Sequence, residues 1–246
     1  MTNEAVRIVP GKLTLSGDGV FGTRQGEGIT AGKEVVFVRT HLCNLACEWC
    51  DTSYTWDRTD QRFWTEPTKA TYAEIAKTVK NIWQAKGQTP DLPRAVFSGG
   101  EPLIQQSGIA QVMALLPEYD FEVETNGTIL PREQLVRKAQ INCSPKLSGS
   151  GNPEQRRYRP QILREIAQLP NAWFKFVVSS IDEFTEVGQI AIECHIPADR
   201  ILVMPEGRNA TQIAAKLDQF QEEIDKRGWK STKRFQLIWY GDTRRT

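Results

Sequence analysis

Histidine is nearly absent from this chain of 246 residues; there are two, His41 and His195, and they stand far apart. No histidine pair is therefore available to close a zinc site. Neither sign of charge is in excess, with 31 Lys and Arg against 30 Asp and Glu. A global positive field of the kind that draws nucleic acid is missing. No apolar run approaches the roughly 20 residues that span a bilayer. The polar start MTNEAVRIVPGK lacks the apolar centre of a secretory signal. The expectation is a cytoplasmic protein with neither nucleic acid nor membrane as partner. Cysteine is also scarce: five in all, three of them crowded within eight positions. That is not the even, dispersed framework of a disulfide-stapled secreted domain, and in a reducing compartment such crowding points to metal or redox chemistry. There is no internal repeat, low-complexity tract or Gly/Ser/Pro-rich linker, so one domain over residues 1–246 is expected.

What is present is an alternation of apolar runs and helical patterns from about residue 34 onward, which argues for βα units around a mostly parallel sheet. The expected strands are Glu34–Arg39, Arg94–Phe97, Phe121–Glu124, Trp173–Val178, Arg200–Val203 and Phe235–Tyr240. Tyr72, Ile75, Val79 and Ile82 share one helical face, as do Ile213, Leu217, Phe220 and Ile224. The polar motifs fall at strand ends, where parallel α/β folds gather their ligand-binding groups, so they should converge on one side. Asp51–Thr68 reads as a long loop.

Cys43, Cys47 and Cys50 form a Cys-x3-Cys-x2-Cys loop directly after the strand Glu34–Arg39. Three thiolates on one short loop can each hold an iron of a 4Fe–4S cubane and leave the fourth iron open. Structural zinc sites instead close with four ligands in paired spacings, and no second Cys-x2-Cys or His pair follows. A non-enzymatic zinc module is the alternative of a different class. Cys143 and Cys194 are isolated and read as small buried hydrophobes.

With Trp49 before the third cysteine, the loop resembles the signature of the radical S-adenosylmethionine (SAM) superfamily. The resemblance implies a partial, TIM-like barrel of α/β class. It also implies an open iron that binds the amino and carboxylate groups of SAM, whose reductive cleavage gives a 5′-deoxyadenosyl radical. Trp49 would touch the adenine or pack over the cluster. Ser98-Gly99-Gly100-Glu101-Pro102 follows the strand Arg94–Phe97, and in the superfamily such a Gly-Gly-Glu-Pro segment holds the methionine end of SAM. Glu124-Thr125-Asn126-Gly127-Thr128 and Asn142-Cys143-Ser144-Pro145-Lys146 also lie at strand ends. Both could be ordinary polar turns; Ser144, Pro145 and Lys146 would otherwise suit the SAM carboxylate or ribose.

Phe21-Gly22-Thr23-Arg24-Gln25-Gly26-Glu27-Gly28, together with Cys50-Asp51-Thr52, Ser144-Pro145-Lys146 and Val203-Met204-Pro205-Glu206-Gly207, resembles the 7-carboxy-7-deazaguanine synthase family over nearly the whole chain. The resemblance implies rearrangement of 6-carboxy-5,6,7,8-tetrahydropterin to 7-carboxy-7-deazaguanine in the queuosine and deazapurine pathway, with SAM regenerated. Arg24, Gln25, Gly26, Glu27 and Ser98 would line the pterin, and Arg39 would fork its carboxylate unless it serves only a surface ion pair. Thr52 would help bind Mg²⁺, or else cap its own loop. An electron donor such as flavodoxin and a homodimer are implied as partners. Leu42 stands where the family commonly has Gly before the first cysteine, and Gln236 where many relatives carry His. An activating enzyme acting on a protein glycine would share the cysteine loop and SAM site, and is the nearer alternative.

Overall fold

Seven strands run in the same direction from Glu34 to Ser231, each pairing with the one that follows it, so the sheet grows in one sense along the chain. The computed structural model describes residues 4–87, 89–241 and 243–245, apart from the side chain of Asp18. Its strands are β1 (Lys12–Arg24), β2 (Glu34–Thr40), β3 (Thr68–Thr71), β4 (Arg94–Gly99), β5 (Asp120–Thr125), β6 (Ala139–Cys143), β7 (Ala172–Val178), β8 (Ile201–Pro205) and β9 (Lys230–Ser231). The helices are α1 (Arg62–Thr65), α2 (Tyr72–Ala85), α3 (Gln106–Ala114), α4 (Glu133–Val136), α5 (Glu154–Arg157), α6 (Pro160–Ala167), α7 (Glu183–Glu193), α8 (Ala210–Lys226) and α9 (Phe235–Tyr240). Sheet order is β3-β1-β2-β4-β5-β6-β7-β8-β9, with β1 antiparallel to both β2 and β3. The expected α/β class is thus met as a mixed fold with one large sheet.

Local chemistry explains the long helices. Thr71 and Glu74 make a reciprocal capping box at the start of α2, and Asn209 accepts from the Gln212 N–H at 2.9 Å to start α8. The two predicted apolar faces bury Ile75 and Val79 of α2, and Ile213, Leu217, Phe220 and Ile224 of α8.

Period-two alternation separates the faces of the sheet. Val36 and Val38, Ala95 and Phe97, Phe121 and Val123, Ile141 and Cys143, Phe174 and Phe176, and Ile201 and Val203 all point into the helix-covered core. Cys143 and Cys194 are fully buried there. The other face carries Phe37, Val96 and Leu202 but also an unusual set of polar side chains: Arg39, Ser98, Glu122, Glu124, Asn142 and Lys175. A sheet interior tolerates such side chains only where they are paired or face a cavity.

Several stretches depart from expectation: the expected loop Asp51–Thr68 contains the short helix α1, and β3 and β6 are absent from the expected strands. Phe235–Tyr240 is a helix, not a strand: the short apolar run FQLIWY fits either period, the sheet edge is already taken by β9, and Phe235 stacks on Trp239 one helical turn away at 5.4 Å. Strand β1 lies before residue 34, where the expected alternation of strands and helices begins. Gly19 has φ +63° and the register shifts between Leu15 and Val20, so this glycine marks an irregularity inside the strand.

Phe184 of α7 packs on Phe220 and Trp229 with ring centroids 5.3 and 5.8 Å away. Phe184→Ala should lower unfolding stability by about 3–5 kcal/mol in urea titration, without altering metal content. A loss below about 1 kcal/mol would mean that this contact does not anchor α7 and α8.

Candidate active site

The polar face of the sheet opens into a cavity of about 300 Å³, lined among others by Arg39, Ser98, Glu124, Lys175 and Met204. The cysteine loop closes one side, with Cys43, Cys47 and Cys50 all on the wall. All three are free thiols. Burial pushes the Cys43 thiol up to about 12 and raises Cys47 as well. Buried thiols become thiolates when a bound metal supplies the compensating charge. That donor set fits an iron–sulfur cluster, which takes one thiolate at each of three irons. Among the described residues no three Cys, His, Asp or Glu side chains gather as ligands of one metal ion.

The second motif is joined to the first by main chain. Thr40 pairs with Gly99 in the β2–β4 register, and the ladder runs on past both strand ends: Gly100 N–H donates to Thr40 O at 3.2 Å and Glu101 N–H to Leu42 O at 2.8 Å. Gly99 has φ +136°, and a Cβ there would sit 2.0 Å from Thr40 O; one on Gly100 would sit 2.1 Å from Leu42 O. The glycines are thus demanded by the backbone of the cysteine loop itself. Leu42 occupies φ +79°, the conformation for which the family's glycine is suited. Glu101 is buried and ties two strand ends together, accepting from Leu103 N–H, Thr125 Oγ1 and Asn126 N–H at 3.0, 2.9 and 2.7 Å. Burial outweighs those hydrogen bonds and raises its pKa to about 7.

Ser144 and Lys146 meet, with Lys146 Nζ donating to Ser144 Oγ at 2.9 Å and lying 5.3 Å from the centroid of the half-buried Trp49 ring. Pro145 between them is buried. The stretch is held from behind by buried Arg157, which bonds Lys146 O at 3.0 Å and Glu186 at 2.7 Å. Thr52 is buried on the cavity wall without capping the turn Ser53–Thr55; its Oγ1 lies 3.6 Å from Cys50 Sγ.

On the same lining, the Gln25–Gly28 turn is locked into a network of buried charge. Lys175 Nζ lies 2.5 Å from Glu27 and 3.1 Å from Glu124. Gln236 donates to Glu27 at 2.7 Å, and Arg234 lies 3.6 Å from Glu27 and 2.6 Å from Asp51. Gln25 and Asn142 both donate to Glu122 and Glu124. Burial alone would raise the Glu27 carboxyl, but Lys175 and Arg234 outweigh it and hold the pKa at about 2. Burial raises Glu124, which also feels Glu27 and Glu122, while Lys175 opposes the shift. Gly26 lets the Gln236 amide approach, since a Cβ there would lie 2.0 Å from Gln236 Oε1 and displace that side chain.

Of the residues to which the sequence assigned a cluster, SAM, Mg²⁺ or substrate role, all but Pro145 and Glu101 line this one cavity, with the half-exposed Arg24 pairing with Glu34 at 3.0 Å. Arg39 lies over the Phe21 ring at 5.6 Å. Lys175, Glu122, Arg157, Arg234 and Asn152 carry no motif in the sequence, and Glu124 enters there only as the first residue of a strand-end polar segment. Lys175 alone carried a signal: a lysine inside the otherwise apolar strand AWFKFVV.

A family model described as a 4Fe-4S single cluster domain matches residues 24–144, which contain the cysteine loop and the Gly-Gly turn. Fold and site together define an α/β iron–sulfur protein built on a three-cysteine loop. The 7-carboxy-7-deazaguanine synthase of Pyrobaculum aerophilum is 31% identical over 228 residues, covering 92% of this chain and 94% of that protein. Its counterpart from Rhodopirellula baltica is 31% identical over 240 residues, covering 92% and 86%. The chain belongs to the 7-carboxy-7-deazaguanine synthase family. Among solved structures, QueE from Escherichia coli superposes with a TM-score of 0.66 at 20% identity, covering 90% of this chain and 93% of that one. Streptococcus suis SuiB bound to S-adenosylmethionine gives 0.54 at 14% identity, covering 83% and 54%. Both likenesses concern the fold.

Lys175→Met should cost about 3–5 kcal/mol in urea unfolding at neutral pH, because two carboxylates then lose their buried partner. The folded Glu27 pKa, about 2, lies below its ordinary 4.5. Its stabilising contribution is therefore full above the ordinary value and is lost as pH falls from there through about 2. The variant should lose less stability over that acid window than the parent does. An unchanged acid profile would show that Lys175 is not what holds Glu27 ionised.

Proposed function

We infer that the protein is a radical SAM enzyme that converts 6-carboxy-5,6,7,8-tetrahydropterin to 7-carboxy-7-deazaguanine, with ring contraction and loss of ammonia. The observation that carries this reading is the composition of one cavity, whose lining holds three free thiols together with amide, carboxylate and guanidinium groups. It is joined by family membership over almost the full length of the relatives.

Cys43, Cys47 and Cys50 would hold the 4Fe–4S cluster, and Trp49, Gly99, Gly100, Glu101, Ser144, Pro145 and Lys146 would surround SAM. Together these cofactors supply the radical that starts the rearrangement. The chain's own task is then positioning, which rigid, cross-bonded side chains perform best. Gln25, Glu27 and Glu124 offer amide and carboxylate acceptors to the N–H edge of a pterin, and Arg39 offers a planar fork to its carboxylate. Arg24, Gly26 and Ser98 complete that wall. Thr52 would give one hydroxyl oxygen to Mg²⁺, with substrate and water supplying the remaining oxygens.

One domain over residues 1–246 is part of this reading, and so is a partial, TIM-like barrel. A sheet whose parallel strands follow in sequence order carries its crossovers on one face, as a barrel does. No described helix is long and apolar enough to cross a membrane. A flavodoxin-type electron donor and a homodimer are carried by the family resemblance.

Anaerobically reconstituted protein, given reductant, SAM and the carboxytetrahydropterin, should release 7-carboxy-7-deazaguanine while the SAM concentration stays constant. Cleavage of SAM with the pterin untouched would remove the substrate assignment. Cys47→Ala should lose both cluster and turnover. Arg39→Ala should keep the cluster and raise KM by roughly 10- to 150-fold, the worth of a charge-assisted hydrogen bond; unchanged kinetics would remove Arg39 from the site.

A further inference from the structure

The turn Ser148–Ser150, which follows β6, ends at Gly151 with φ +76°, where a Cβ would meet the Glu48 side chain at 2.4 Å. The next residue, Asn152, packs against the cysteine loop, where it is 7% exposed. Asn152 Oδ1 accepts from Ala46 N–H at 2.8 Å, and Asn152 Nδ2 donates to Cys47 Sγ at 3.2 Å. The remaining amide hydrogen has Ser150 O and Ser150 Oγ in reach at 3.4 and 3.3 Å. Ser150 O in turn accepts from Glu48 N–H at 3.1 Å.

The orientation of the amide follows from its partners. Flipping it would set its NH₂ against the Ala46 N–H, donor facing donor, and would turn its oxygen toward Ser150 O. The NH₂ is therefore committed to the Cys47 sulfur. Ala46, Cys47 and Glu48 are thus all gripped by Ser150 and Asn152, at two backbone N–H groups and one ligand sulfur.

We propose that Asn152 is a positioning residue for the iron–sulfur cluster, one whose hydrogen bond to the Cys47 sulfur raises the cluster's reduction potential. The proposal rests on the cluster reading above. A donor to a cysteinyl sulfur draws electron density from the thiolate and favours the reduced, more negative cluster. Lys146 also acts on Cys47 through its charge, and that contribution persists when Asn152 is changed.

The test is the midpoint potential of reconstituted holoenzyme, with iron and sulfide assayed on the same samples. Asn152→Ala should keep a full cluster and shift the potential to a more negative value. Asn152→Asp, which keeps an acceptor for Ala46 N–H but offers none of the N–H to sulfur, should also shift it negative. A full cluster with unchanged potential in Asn152→Ala overturns the inference while leaving the cluster reading intact. Should that variant fail to take up iron, the wild-type enzyme labelled with ¹⁵N-asparagine decides. A label-dependent nitrogen modulation in the pulsed paramagnetic resonance of the reduced cluster supports the hydrogen bond, and its absence overturns it. Wild-type protein that takes up neither iron nor sulfide sinks the cluster reading and this inference together.

Discussion

The parallel hydrogen-bond ladder between β2 and β4 does not stop where the strands do, and the site depends on that continuation. Gly100 N–H to Thr40 O and Glu101 N–H to Leu42 O carry the pairing into two loops that would otherwise be independent. Backbone at this separation leaves no room for a Cβ on Gly99 or Gly100. It also holds Leu42 at φ +79°, a conformation that costs a non-glycine residue about 1–2 kcal/mol. Strain of that size persists where the surroundings over-determine the backbone, as two ladder bonds do here. Glu101 extends the chain of constraint by one more strand, since its buried carboxylate gathers N–H and O–H donors from the end of β5.

The same sheet supplies two opposed environments from one alternation of side chains. One face packs Phe97, Phe121, Phe174 and Phe176 against the helices. The other presents Arg39, Glu124 and Lys175 to the cavity. Buried charges of this kind stabilise little on balance, because desolvation offsets their attraction. What they give is fixed geometry: Lys175 bridges the Gln25–Gly28 turn to β5, and Gln236 and Arg234 bring the C-terminal segment to the same carboxylate. A substrate entering this cavity meets polar groups whose rotamers are already set.

Much of the fold was legible because its strands are short apolar runs and its two long helices repeat apolar residues at steps of three and four. The three cysteines and the Gly-Gly turn were legible because their spacing has few other uses. Phe235–Tyr240 was misread as strand: a six-residue apolar run carries no period, and only the docking of Phe235 N–H on Gly26 O and the occupied sheet edge decide it. Lys175 has no sequence motif, and Glu124 and Asn142 read equally as polar turn residues, because a polar residue in or at the end of a strand looks like solvent-facing alternation until the partner strands are placed. Asn152 was invisible for another reason: its partner, Cys47, is 105 positions away. Only the turn at Gly151 brings the two together.

The central claim is that main-chain contact makes the cysteine loop and the Gly-Gly turn a single unit, and Gly100→Ala tests it most directly. A Cβ at this position would lie 2.1 Å from Leu42 O and 2.8 Å from Cys43 N, both backbone atoms that cannot swing aside. The measurement is iron and sulfide content, together with the paramagnetic resonance spectrum of the reduced cluster before and after addition of SAM. Gly100→Ala should give a depleted cluster, or one whose spectrum no longer responds to SAM, in a protein whose sheet remains folded by circular dichroism. A fully loaded Gly100→Ala protein with the wild-type response to SAM would contradict it.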